Sequence, residues 1–285
     1  MNPTLPQPLS PELHSMQAWH RALACAFAAT GAADFPAKLV AALCQLTSIE
    51  SFLIGLERKD QSPLLLYQQG THAEHQEALI SHYYSRGYLL DPFCLAVENG
   101  LAQGFYHLAE IAPDDFFSSE YYKTYYLKTG SVEDCYFIAD LNPQCKISLC
   151  MYQGLSAGRM QPQQLELLRL VEPVVQELLL QYGSQVLARS SAASSIEPAA
   201  APPSGLPQQI QSAFMSFGSE RLTEREREVA HLMLRGHSIK SSAQSLQISP
   251  ETVRMHRKNI YTKLAINSQA ELFALFIDWL TSAQR

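Results

Sequence analysis

Arg254, Arg257 and Lys258 fall within five residues of one another, and the stretch that carries them, 249–264, has no acidic residue after Glu251. Cations at that density suit an anion, a phosphate backbone above all. An arginine on such a surface can also pair twice with guanine, at O6 and N7, so the cluster is a candidate for reading base edges. The neighbouring residues say what holds it. Ser249 can be an N-cap, and Pro250 fits the first helical position, where its missing N–H costs nothing. Val253, Ile260 and Leu264 recur at +7 and +4, so one helical face is apolar and the cations project elsewhere. Such a charge run usually means a solvated face; the surrounding elements argue for more.

Thr223 and Glu226 have capping-box spacing and open a first helix with Val229, Leu232 and Met233 on its apolar side. Gly236 fits its C-terminal stop. Ser238 can cap a short second helix carrying Ile239, Ala243 and Leu246, and Gln247-Ile248 turns into the basic helix. Ser268 and Glu271 form a second box, opening a fourth helix striped with Leu272, Leu275, Phe276 and Trp279. A short helix, a tight turn and a basic helix make a helix-turn-helix, with the basic helix sized for the major groove. Phe273, Ile277 and Leu280 widen the last stripe beyond what one small module needs, which predicts a dimer contact.

Many positions agree in register with one family. Leu222-Thr-Glu-Arg-Glu-Arg-Glu-Val229, Gly236, Lys240, Ile248-Ser249, Thr252-Val253, His256, Asn259-Ile260-Tyr261 and Lys263-Leu264 resemble the LuxR-type helix-turn-helix over residues 219–283. The family usually has a bulky Ile where Ser242 stands. The resemblance implies that Arg254, Met255 and Lys258 face base edges and that Lys240, Thr252, Arg257 and Lys263 touch phosphates. It also implies dimerisation through Leu272, Leu275, Phe276 and Trp279. Double-stranded DNA is then the partner, a homodimer the binding form, and RNA polymerase a further expected partner.

The net charge of −6 conceals an asymmetry. Residues 221–285 hold ten Lys and Arg against six Asp and Glu; the rest holds 11 against 21. A basic module on an acidic body assigns nucleic acid to one part and something else to the other. The six cysteines show neither a CxxC pair nor ligand spacing with His, which reads as reduced buried thiols and no metal. No signal sequence opens the chain, and no apolar run reaches the ~20 residues of a membrane helix. The expected location is the cytoplasm, with no membrane contact.

The front part carries a second candidate chemistry. Tyr83, Tyr84, Tyr88, Asp91 and Phe93 lie close together, and 116–126 adds Phe116, Phe117, Tyr121, Tyr122, Tyr125 and Tyr126. An aromatic stripe is ordinarily core, but each tyrosine brings a hydroxyl that needs a partner when buried. Seven tyrosines predict a polar-studded cavity for a small molecule. Tyr83, Tyr84, Tyr88, Asp91, Phe93, Tyr122, Tyr125 and Asp134 are its expected lining. Asp91, before Pro92, has a competing role as a helix cap, and Glu133 could line the same cavity.

These residues are positioned by helices at 12–30 and 35–46, a hairpin of 51–57 with 63–69, and helices at 72–86, 93–98 and 114–129. Strands at 134–139 and 146–152 follow, then a long helix over 163–187 with Pro173 inside it. Asp114 or Asp115 would cap the 114–129 helix. The order predicts an α+β sensor domain, an antiparallel sheet flanked by helices of the PAS/GAF kind, followed by an all-α four-helix module. The segment Tyr83…Tyr88…Asp91-Pro92 resembles the ligand-binding motif of LuxR-type autoinducer receptors, where an Asp accepts from the ligand amide. The tryptophans of that family's motif are missing, since Trp19 and Trp279 are the only two, so an acyl-homoserine lactone is not the expected ligand.

Enzyme readings fail: there is no Gly-rich phosphate loop, GxSxG or HExxH, and His72 and His75 have no third ligand. No cofactor is called for. The expectation is a one-component regulator: a leader at 1–11, a ligand-sensing domain at 12–187, a linker of Ala, Ser and Pro at 188–218, and a DNA-binding domain at 219–285. The competing expectation is a front domain that binds a protein or dimerises, with no ligand.

Overall fold

The computed structural model describes residues 11–49, 51–59, 61, 63–70, 87–124, 126–154, 158–194, 212 and 215–282. Its N-terminal part is a five-stranded antiparallel sheet: β1 (Ser51–Arg58), β2 (Leu64–Gln69), β3 (Gly104–His107), β4 (Ser131–Asn142) and β5 (Cys145–Gly154), in the order β2-β1-β5-β4-β3. Side chains alternate across it. Phe52, Ile54 and Leu56 of β1, Cys135 and Phe137 of β4 and Ile147, Leu149 and Met151 of β5 pack against one layer of helices: α1 (Pro11–Ala28), α2 (Phe35–Leu43) and α6 (Pro162–Ser194). Leu53, Tyr136, Ile138 and Cys150 face the opposite layer. That layer holds a 3-10 turn (Gly87–Leu90), α3 (Pro92–Glu98), α4 (Leu108–Ile111) and the broken aromatic segment.

Three expectations are corrected. The helix over 114–129 is three short pieces: a 3-10 turn (Phe116–Ser118), α5 (Glu120–Thr124) and a second turn (Tyr126–Thr129). Ser119 breaks it, with extended backbone and an Oγ that accepts from the Tyr122 N–H at 3.1 Å, as an N-cap does. The strand β3 was not foreseen, because four residues are too few to show a period. The long helix runs to Ser194, seven residues into the expected linker. The helix expected over 72–86 lies outside the described residues.

The C-terminal part is α7 (Glu224–Leu234), α8 (Ile239–Leu246), α9 (Pro250–Leu264) and α10 (Gln269–Ser282). Its start signals are those of the sequence. Thr223 and Glu226 make both bonds of the capping box, Ser238 accepts from the Ser241 N–H, and Ser249 accepts from the Thr252 N–H. At the second box Ser268 accepts from the Glu271 N–H, while the Glu271 carboxylate reaches the Asn267 N–H rather than that of Ser268. Gly236 ends α7 at φ +86°, where a side chain would be strained. Val229, Val253, Ile260, Leu264, Leu272 and Phe276 form the core of this module, and it is continuous with Phe116, Tyr121 and Tyr126 of the front part.

Candidate nucleic-acid interface and sensor chamber

Arg254, Met255 and Lys258 are exposed on the side of α9 opposite its buried Val253, Ile260 and Leu264. Arg254 pairs with Glu251 at 2.8 Å, an exposed contact that water competes with freely. Arg257 lies 5.3 Å over the Tyr261 ring, and its Nε donates to the Tyr261 hydroxyl at 3.1 Å. Arg254, Arg257, Lys258 and Tyr261, together with Thr262 and Asn267, line an open groove of about 600 Å³, and Met255 stands exposed beside Arg254 in sequence. The surface can offer donors to anions and a thioether to an apolar base edge.

The four residues expected on phosphates are not alike. Lys240 is exposed in the first turn of α8, and Arg257 is fixed by Tyr261. The Thr252 hydroxyl lies 2.8 Å from that of Ser249, within the cap of α9. The Lys263 ammonium donates to both oxygens of Glu226, at 2.6 and 2.9 Å. Burial pushes the Glu226 carboxyl up, but Lys263 and the Thr223 donors outweigh it and hold it below its ordinary 4.5. Sequence reasoning saw Glu226 as a cap and missed its cation.

The wide stripe of α10 is largely used within the chain. Leu272 and Phe276 are fully buried, and Phe273 and Leu280 are largely buried, so these four pack in the core of the chain. The reason is that α10 packs against α5 of the front part as well as against α7, and Phe217 adds an edge contact to Phe276 at 5.3 Å. Leu275 is exposed and Trp279 half-buried.

Between the sheet and the second helical layer lies a polar interior. Tyr88, Asp91, Phe93 and Asp134 are buried here, with Phe93 stacked on Tyr136 at 4.2 Å. Asp91 caps α3, accepting from the Phe93 N–H at 2.9 Å. Tyr122 lies at the margin, its hydroxyl donating to the Val132 carbonyl at 2.8 Å. Tyr83, Tyr84 and Tyr125 lie outside the described residues. Glu133 points to the other side of the sheet, accepting from the Met160 N–H and paired with His107, as expected of a residue next to Asp134 in a strand.

The structure adds members that were missed. Ser131 donates to Asp134 at 2.6 Å, the Tyr136 hydroxyl donates to it at 3.1 Å, and Tyr126 lies within reach of its charge. Glu57 accepts from Ser148 at 2.8 Å. Burial pushes Asp134 and Glu57 each up to about 7, against these donors, and the charge of Asp91 adds to both shifts. The Tyr88 hydroxyl is pushed up to about 12, first by burial. A period-two reading would have put Asp134 with Tyr136, and Ser148 with Cys150, on one face of the sheet, but not the pairing of Ser148 with Glu57 or the approach of Ser131.

Comparisons with known proteins agree with this picture. The family model described as bacterial regulatory proteins, luxR family, matches residues 220–276. An HTH-type transcriptional regulator from the exeN 3' region of Aeromonas salmonicida is 35% identical over 198 residues, covering 68% of this chain and 96% of that protein. The crystal structure of the VqsR LBD domain from Pseudomonas aeruginosa is 28% identical, with a TM-score of 0.51, over 58% of this chain and 96% of that one. Transcriptional regulatory protein UhpA of Escherichia coli is 40% identical over 57 residues, only 20% of this chain and 29% of its own. The chain belongs to the LuxR family of bacterial regulatory proteins. It is a transcriptional regulator, not an enzyme, and its N-terminal part is similar in fold to the VqsR LBD domain. Among the described residues no helix is long and apolar enough to cross a membrane.

Proposed function

We propose that the chain is a one-component regulator whose N-terminal domain senses a small organic molecule and whose C-terminal module binds promoter DNA as a dimer. The observation that carries the DNA part is the outward face of α9, where Arg254, Met255 and Lys258 stand free of the core. Arg254 and Lys258 address base edges, and Lys240 and Arg257 address phosphates. Lys263 serves first as the counter-ion of Glu226 and only at the margin as a phosphate contact. Two half-sites would lie about one helical turn apart. Leu275 is the exposed member of α10 through which a second copy would dock, and RNA polymerase is the partner of the DNA-bound form.

The sensor part rests on the buried group of Tyr88, Asp91, Asp134 and Glu57. Its acids face hydroxyls and backbone N–H groups, which suits a ligand that brings donors or a positive charge. Such a ligand shifts the regulator only by its differential affinity for two arrangements of the chain.

The test is charge reversal of Arg254 and Lys258 together to Glu, with duplex binding followed by anisotropy. Affinity should fall at least 100-fold, the loss of two contacts at ~1–3 kcal/mol each, with thermal stability unchanged. Retained sequence-specific binding would refute the assigned face.

A further inference from the structure

Asp114, expected to cap its own helix, caps another. It lies in the front domain, just before the aromatic segment, and its carboxylate sits at the N-terminus of α8, the first helix of the helix-turn-helix. The Ser238 N–H donates to it at 3.0 Å, the Ser238 hydroxyl at 2.6 Å and the Ser241 hydroxyl at 2.6 Å. Burial raises the Asp114 carboxyl, but these donors outweigh it and hold it at about 2, so it is ionised throughout the working pH range. The contact does not stand alone. The Asp115 N–H donates to the Gly236 carbonyl at 3.1 Å. A Cβ on Gly236 would meet the Phe116 Cα at 2.8 Å, so glycine is what lets the two backbones approach.

The first helix of a helix-turn-helix crosses the DNA backbone, and phosphates are commonly bound by helix N-termini and Ser hydroxyls. The geometry here is that of a phosphate site: one backbone N–H and two hydroxyls converging on an oxyanion, with exposed Lys240 in the same turn. Its occupant is a carboxylate from the sensor domain. We propose that Ser238 and Ser241 form a DNA-phosphate contact that Asp114 holds shut, so that the front domain and the DNA backbone compete for one anion site. The base-reading face of α9 stays open while this flanking contact is withheld. Release of Asp114 then adds a phosphate contact without altering sequence preference. Phe116, two residues on, packs edge-on against Tyr126 at 5.8 Å, and Tyr126 lies within reach of the Asp134 charge, which ties the latch to the polar interior.

The inference rests on the DNA-binding reading, and the experiment separates the two. Phosphate contacts are independent of sequence, so the probe is a random-sequence duplex titrated with the full chain at several salt concentrations. Asp114→Asn should tighten binding about tenfold, the size of one charge-assisted contact. It should also steepen the dependence of log K on log salt by roughly 0.9, one phosphate. Asp115→Asn, which removes the same charge from a side chain that makes no cap bond, should do neither. Adding Ser241→Ala to Asp114→Asn should cancel most of the gain. Equal affinity and slope for the two Asp variants would overturn the latch. A full gain retained without the Ser241 hydroxyl would overturn the phosphate site. If no variant and no wild-type chain binds the duplex, the DNA-binding reading itself falls, and the latch with it.

Discussion

Glu226 and Asp134 are both buried carboxylates, and they have opposite surroundings. Glu226 lies in the C-terminal module with an ammonium on both its oxygens and a cap on its helix, and its carboxyl is held below 4.5. Asp134 lies in the front domain with the hydroxyls of Ser131 and Tyr136 as donors, both neutral, and is pushed up to about 7 by burial. The first is a finished structural pair, with its charge compensated inside the chain. The second has hydroxyl donors but no cation, and burial tips it toward its protonated form. A buried acid without a cation costs stability once it ionises, and proteins keep such groups chiefly at functional sites.

The largest effect that would break this comparison is in pH dependence. Glu57 and Asp134 have folded-state values above their unfolded ones, so what they contribute is complete below about 4 and is lost as pH rises through 7. At ~1.4 kcal/mol per pKa unit, Glu57 accounts for at most on the order of 3 kcal/mol and Asp134 for at most on the order of 4 kcal/mol. The double variant Glu57→Gln with Asp134→Asn should flatten the decline of stability between pH 4.5 and 8 in urea unfolding. An unchanged slope would show that the acids are solvated or paired.

Glu226 has the opposite sign. Its folded value is depressed, so its contribution is present above 4.5 and fades as pH falls below it. Glu226→Gln should cost about 1–2 kcal/mol at pH 7 through the cap and the ion pair, and nothing further in acid. Equal losses at pH 7 and pH 3 would contradict that account. Smaller still is Gly236→Ala, which should cost at least about 1 kcal/mol for the positive φ and should loosen the contact with Phe116. Hydrogen exchange at Asp115 would report the loosening. Ser242→Ala should be neutral or stabilise by up to about 1 kcal/mol, because the Ser242 hydroxyl is buried with no protein partner. A clear loss of stability would reveal one.

The two regions also differ in how legible they were. Every helix start of the C-terminal module is announced by a local signal, Thr223 with Glu226, Ser238, Ser249 with Pro250 and Ser268 with Glu271, and Gly236 marks the end of α7. Helices of this kind are specified within a turn or two of sequence. The front domain depends on pairing across long separations, such as Ser148 with Glu57, which no local pattern announces. Its strands at β1, β4 and β5 showed through their alternation, but β3 was too short to show. The aromatic run suggested one helix because Ser119 looks like an ordinary residue until its cap is seen. The α10 stripe was misread for a related reason: the excess apolar surface belongs to the front domain, and a sequence does not show which neighbour will cover a face.

The most direct test of the sensor claim is thermal denaturation of the full chain at pH 8 in the presence of small amines, amides and lactones, on wild type and Asp134→Asn. At least one donor-bearing compound should raise the wild-type Tm by several degrees and lose most of that effect in the variant. Stabilisation that is equal in the two proteins, or absent across all three classes in the wild type, would contradict the account.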